Sequence, residues 1–202
     1  INKLIVTTNE NDILNRVIET GEYKPRTAKS SITPSMDIQV ASNFERLLFD
    51  LLKGDDKKVS SYMNKLTSDG NFKLNQEELQ SLKKNFIGRS INNKSTLGII
   101  NHVFKLNNYI IDPHTATGVA PILLGNVEET EEIFTNSSDV VALATADAYK
   151  FIETVEPEIK KVDINSKVSI PQKLSEIKNK KEKFDIIGNS ITEVKNYILG
   201  KI

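Results

Sequence analysis

Apolar positions along the chain recur with two different periods. Leu4, Ile5 and Val6 form a short continuous run, the pattern of a strand buried on both faces of a parallel sheet. Thr7-Thr8-Asn9 follows as a polar strand-to-helix turn. Asn11 to Thr20 reads as a helix capped by Asn11 or Asp12, with Ile13, Leu14, Val17 and Ile18 inward and Gly21 as its stop. Tyr23 to Thr33 lacks a period and reads as loop. Phe44, Leu47, Leu48, Leu51 and Leu52 then recur at i, i+3, i+4, i+7 and i+8, the strongest amphipathic stripe of the chain. Ser42 or Asn43 can cap that helix, with Glu45 in its first turn.

Beyond Gly54, helices are expected over Asp56 to Thr67 (Val59, Met63 and Leu66 inward) and over Asn75 to Lys84 (Leu79 and Leu82 inward). Phe86 to Ile91 is a candidate strand, and Asn93 to Leu106 a helix with Leu97, Ile100, Val103 and Phe104 on one face. Tyr109-Ile110-Ile111 reads as a brief buried strand. Pro113 suits a helix start, so Thr115 to Leu124 reads as a helix ended by Gly125. Val140 to Ala144 is a second continuous apolar run, hence a buried strand. A helix follows from Ala148 with Phe151, Ile152 and Val155 inward. Pro171 reads as a first helical residue, Leu174 to Lys183 as a charge-rich helix and Phe184 to Ile187 as a last strand. Ser190-Ile191-Thr192-Glu193 is a capping-box pattern opening a helix that buries Val194, Tyr197 and Ile198. Strands alternating with helices are the α/β pattern.

Composition narrows the function classes. Lys plus Arg and Asp plus Glu both number 27, so the net charge is zero and an electrostatic nucleic-acid binder is disfavoured. No apolar run is long enough for a transmembrane helix, and no signal peptide is visible. With no cysteine there are no disulfides or thiolate metal sites, which fits a reducing compartment; cytoplasmic is the expectation. A chain that opens on Ile1-Asn2-Lys3 and reaches an apolar strand by Leu4 reads as the middle of a domain.

Ligands of open α/β sheets sit outside the carboxyl ends of strands. Three such ends are expected here: Thr7-Thr8-Asn9, Asp112-Pro113-His114-Thr115 and Thr145-Ala146-Asp147. Their hydroxyl and amide groups suit an anionic or heterocyclic ligand, and they serve equally as helix caps. Of the two histidines, His102 lies in a helix stripe. His114 beside Asp112 has the means to polarise or shuttle a proton, or simply to bond its own turn. Two histidines without clustered carboxylates make a poor metal site. There is no phosphate-cradling glycine loop and no G-x-S-x-G.

Four motifs, in order, resemble the threonine synthase family. They are K-L-I-V-T-T-N-E-N-D-I-L (Lys3 to Leu14), S-M-D-I-Q-V-A-S-N-F-E-R (Ser35 to Arg46), D-P-H-T-A-T-G (Asp112 to Gly118) and L-A-T-A-D-A-Y-K-F (Leu143 to Phe151). The resemblance runs from Leu4 to the end. It implies part of a fold like that of the β-subunit of tryptophan synthase, a mostly parallel sheet flanked by helices. Residues 1–202 would be the C-terminal portion of a pyridoxal-phosphate-dependent catalytic domain, with a helical insertion at roughly 54–108. The implied reaction converts O-phospho-L-homoserine and water to L-threonine and phosphate: proton removal at Cα and then Cβ, γ-elimination of phosphate and water addition at Cβ, with the cofactor as electron sink.

The resemblance places the Schiff-base lysine and the loop cradling the cofactor phosphate ahead of the K-L-I-V strand, outside these 202 residues. Lys29 has the wrong context. The chain alone is therefore expected to be inactive and not to retain pyridoxal 5'-phosphate. Thr145 corresponds to the family's hydroxyl partner of the pyridine nitrogen. Asp147 and Ala148 depart from the family's pattern. Substrate-binding candidates are Ser35, Asp37, Asn43, Arg46, His114 and Thr115; for Arg46 the competing expectation is a surface pair with Asp50. The rival readings are a threonine synthase-like phospholyase and a non-catalytic remnant. A remnant would self-associate or bind an N-terminal fragment over the exposed sheet edge. No nucleic-acid or membrane partner is expected.

Overall fold

The computed structural model describes residues 1–124, 139–178 and 180–202. They form two compact units, Ile1–Val168 and Ser169–Ile202.

In the first unit, β1 (Leu4–Thr8) pairs in parallel with β4 (Phe86–Ser90), from Leu4 opposite Phe86 to Thr8 opposite Ser90. Ile91 N–H continues the ladder to Thr8 O at 2.9 Å, so both strands end at one edge. α1 (Ile13–Thr20) crosses back over this pair and stops where Gly21 takes φ +76°, a left-handed conformation open to glycine. Gly88 lets α1 and β4 come together: a Cβ there would lie 2.7 Å from Asn15 Oδ1 and 2.9 Å from Asn15 Cα. β2 (Glu22–Tyr23) and β3 (Phe72–Lys73) form a short antiparallel pair that residue pattern did not reveal, since two-residue strands carry no period.

α2 (Phe44–Leu51), α3 (Asp56–Asp69) and α4 (Gln76–Asn85) close the first core. Tyr23 stacks between Phe44 and Phe72, over Ile13, Val17, Leu48 and Leu82. α3 buries Val59 and Tyr62, while the expected Met63 and Leu66 are half-buried at the rim. The second core joins α5 (Asn93–Asn107), α6 (Pro113–Leu124) and α7 (Ile152–Lys160) through Ile99, Ile100, Phe104, Ala116, Ala120, Val155 and Ile159. On α5 the buried stripe is Thr96, Ile99, Ile100 and Phe104; Leu97 and Val103 flank it.

Three expected strands are not strands. Among the described residues, Tyr109–Ile111, Val140–Ala144 and Phe184–Ile187 have no ladder partners, and Val141 and Ile186 are 81% and 90% exposed. A continuous apolar run becomes a parallel strand only when neighbours accept its hydrogen bonds on either side. Among the described residues none of these segments has such a neighbour. In the second unit, α8 spans Gln172–Ile177 with Pro171 as its N-cap, not Leu174 to Lys183. α9 (Ile191–Leu199) is capped by Ser190 Oγ accepting from Glu193 N–H as expected, yet Val194 and Ile198 are exposed. Its Tyr197 hydroxyl donates to Asp185, which Lys201 Nζ meets at 3.0 Å. The expected helix stop at Gly125 lies outside the described residues.

Glu78 locks α3 to α4. Its Oε2 accepts from Tyr62 Oη at 2.5 Å and from Asn75 N–H at 2.9 Å, completing a capping box, while Lys58 Nζ pairs with Oε1. Burial pushes the Glu78 carboxyl up, but hydrogen bonds from Lys58, Tyr62 and Asn75 outweigh it and hold the carboxyl below its ordinary value. A carboxyl depressed in the folded state contributes stability above its unfolded value of about 4.3, and that contribution disappears as pH falls through the lower folded value. Glu78→Gln is therefore expected to cost about 2 kcal/mol at pH 7 and much less at pH 3, read from urea unfolding at the two pH values.

Candidate active site

The carboxyl edge of β1 and β4 carries the first cluster. Ser90 Oγ donates to Asn9 O at 2.8 Å, and Asn9, Asn11 and Asp37 tie the loop Lys24–Gln39 to the sheet. Asp37 Oδ1 accepts from Asn9 Nδ2 (2.7 Å), Asn11 Nδ2 (3.0 Å) and Ser31 Oγ (2.6 Å), and Oδ2 accepts from Ser31 N–H (2.9 Å). Asn11 also exchanges two bonds with the backbone of Lys29, N–H to Oδ1 at 2.8 Å and Nδ2 to O at 2.9 Å. Buried Gln39 accepts from Arg26 N–H at 3.1 Å. The expected helix caps at Asn11 and Asp12 make no side-chain cap bond, because Asn11 is engaged by this loop.

The network explains why Ser35 to Val40 carries wording that packing does not require. Asp37 is spent on internal donors and acts here as a loop anchor. Ser35, on the 3₁₀ turn Pro34–Met36, is exposed. Sequence reasoning missed Ser31 and Gln39 as partners; the available signal was a polar run without period between two apolar elements.

Asn43 and Arg46 lie on the other side of the same segment. Asn43 occupies the N-cap position of α2 but makes no cap bond; its Oδ1 accepts from Arg46 Nη2. This replaces the expected Arg46–Asp50 pair, since an i−3 amide lies within reach of the exposed guanidinium. Ser42, Glu45, Arg46, Phe49, Asp50 and Val59 line a shallow groove of about 460 Å³. Two carboxylates facing one guanidinium make a poor anion site on their own.

The second cluster opens α6. Asp112, with a fully buried side chain, accepts at Oδ1 from His114 N–H (2.8 Å) and faces His114 Nδ1 at 3.1 Å. Its Oδ2 accepts from the Thr115 hydroxyl and from Thr115 N–H at 3.3 Å. The first amides of α6 are thus capped by Asp112 and are not open to an external anion. On the next turn Thr117 Oγ1 donates to Pro113 O at 2.9 Å. His114 is 6% exposed, its ring 4.7 Å from that of Phe151, and its Nε2 is buried with no hydrogen-bond partner among the described residues. His102 is exposed on α5.

The His114–Phe151 contact joins the Asp112 turn to the 3₁₀ turn that follows the third expected ligand end. Phe151 closes the 3₁₀ turn Ala148–Phe151, which Asp147 caps by accepting from Tyr149 N–H at 2.8 Å, and Thr145 lies two residues before that cap. Thr145 is exposed.

Comparison with known proteins bears on this arrangement. The family model "Threonine synthase, C-terminal" matches residues 115–198. Threonine synthase of Pseudomonas aeruginosa is 31% identical over 98% of this chain and 40% of its own length. The crystal structure of pyridoxal-phosphate-bound threonine synthase from Brucella melitensis superposes with a TM-score of 0.80 at 32% identity, covering 98% of this chain and 40% of that one. Yeast threonine synthase gives a TM-score of 0.79 at 30% identity over 100% of this chain and 43% of its own. The chain spans about two-fifths of the length of the relatives it matches. In sequence motifs, family match and fold alike, the chain is similar to the C-terminal part of threonine synthases.

Proposed function

We propose that this chain supplies the C-terminal part of a threonine synthase active site, acting on O-phospho-L-homoserine and water to give L-threonine and phosphate. The observation that carries the reading is the likeness to a pyridoxal-phosphate-bound threonine synthase across 98% of the chain. The Asp112 turn, whose His114 packs on Phe151 of the 3₁₀ turn after Thr145, supports it. Pyridoxal 5'-phosphate, when bound, supplies the electron sink for proton removal and loss of phosphate.

An exposed, uncharged hydroxyl fits that group: Thr145 O–H can donate to the pyridine nitrogen. A neutral donor there leaves the nitrogen largely unprotonated, a weaker pull on electrons than a carboxylate partner would give. Asp37 and Asn9 hold the Ser35 turn in place, and Ser35, Asn43 and Arg46 remain the exposed polar groups for the substrate's phosphate and amino-acid ends. No helix among the described residues is long and apolar enough to cross a membrane. The chain's own residues 54–108 include β4, so we read the helical insertion as α3 and α4. Leu4, exposed at the start of β1, supports coverage of the sheet edge by further protein.

Product analysis with the longest natural polypeptide containing this chain tests the proposal. Threonine and phosphate in equal amounts are expected. A keto acid with phosphate would favour a phospholyase of the same family, and absence of turnover would favour a non-catalytic remnant.

A further inference from the structure

Among the described residues, His114 is a buried group whose Nε2 neither the fold nor its neighbours use. The Asp112 carboxylate can only accept hydrogen bonds, so the His114 nitrogen facing it, Nδ1 at 3.1 Å, must carry the ring proton. Three further donors converge on the same carboxylate: the amides of His114 and Thr115 and the Thr115 hydroxyl. They fix its position and orient the imidazole. In the neutral ring the other nitrogen, Nε2, then holds a bare lone pair. It is buried, and nothing among the described residues donates to it. A buried acceptor left unmet is costly, so such groups are normally met by a donor from water or a ligand. The Phe151 ring packs the imidazole against the 3₁₀ turn Ala148–Phe151.

We propose that His114 is a catalytic proton acceptor: its Nε2 takes the proton of a small hydroxylic donor, water or a substrate hydroxyl, while Asp112 and Thr115 are positioning residues. In the transfer the donor's O–H bond breaks and an Nε2–H bond forms. The Nδ1 proton stays where it is, and the positive ring is balanced by the Asp112 carboxylate. The Thr115 hydroxyl, committed to Asp112, is removed from the substrate contacts. For the identity of the donor the proposal rests on the threonine synthase reading, whose reaction consumes one water.

The test has two arms. With only two histidines, the chain labelled with ¹⁵N-histidine gives two imidazoles, assigned by loss of one in His114→Gln. Proton–nitrogen correlation is expected to place the neutral His114 proton on Nδ1, and Asp112→Asn to move it largely to Nε2. In the longest natural polypeptide, His114→Gln is expected to lower kcat for O-phospho-L-homoserine on the order of 10²-fold or more with KM little changed. A wild-type His114 protonated on Nε2 overturns the proposal. So does a folded His114→Gln enzyme whose kcat is within twofold of wild type. If the wild-type polypeptide turns over no phosphohomoserine, the synthase reading fails, and the tautomer measurement alone decides whether Nε2 is an acceptor.

Discussion

Asp37→Ala is expected to destabilise the chain by about 4 kcal/mol and to free the loop between Lys24 and Gln39. The carboxylate takes four hydrogen bonds, two from Asn9 and Asn11 at the sheet edge and two from Ser31 in the loop. Each buried donor stranded by its loss costs about 1–3 kcal/mol, less whatever water regains. Asn9 and Asn11 are nearly inaccessible to water, so recovery is limited to their remaining protein acceptors, Ser31 Oγ and Thr33 Oγ1 for Asn9 and Lys29 O for Asn11. Asp37→Asn is expected to be almost as costly, because its amide sets N–H against N–H at one of the two oxygens. Urea unfolding reads the loss. Hydrogen exchange at Lys29 and Ser31, whose amides donate to Asn11 and Asp37, localises it. Unchanged exchange there together with a stability loss under 1 kcal/mol would mean that Asp37 is not the anchor.

Gly88→Ala should cost about 3 kcal/mol for a different reason. Its backbone is not in the left-handed region; the constraint is space. The added methyl would meet Asn15 Cα at 2.9 Å and its backbone oxygen at 3.1 Å. Asn15 Oδ1 can swing away, but the helix backbone cannot, so α1 must lift from β4. Overpacking of this kind typically costs about 1–3 kcal/mol, and the rigid neighbour places it at the upper end. Gly98→Ala on α5, where an added methyl meets nothing within 4 Å, serves as the control and is expected to be neutral or slightly stabilising. Equal effects of the two substitutions would refute the close-approach account.

Helices with a clear 3.6-residue stripe were legible from residues alone. Ile13, Val17 and Ile18 mark α1, and Phe44 and Leu48 mark α2, with glycine marking the stop of α1. β1 and β4 were legible too, yet their pairing joins residues about 80 positions apart, which no local pattern encodes. The segments at 140–144 and 184–187 read as strands because a continuous apolar run reports burial, whereas a strand also needs ladder partners.

The site was legible as a set of loop positions, while the division of labour within it was not. Asp37 and Thr115 look like ligand contacts in sequence and are consumed by internal bonds in space. His114 reads ambiguously beside Asp112; only its burial and its unmet Nε2 set it apart. Arg46 turns to Asn43 and not to Asp50, since both lie within one helical turn and the pattern cannot choose between them.

The most direct measurement for the assignment is turnover of O-phospho-L-homoserine in H₂¹⁸O by the longest natural polypeptide carrying this chain. Loss of phosphate by carbon–oxygen cleavage followed by water addition puts the heavy oxygen in the threonine hydroxyl and none in phosphate. That is the expected result. Labelled phosphate released with homoserine, or a keto acid in place of threonine, would contradict it.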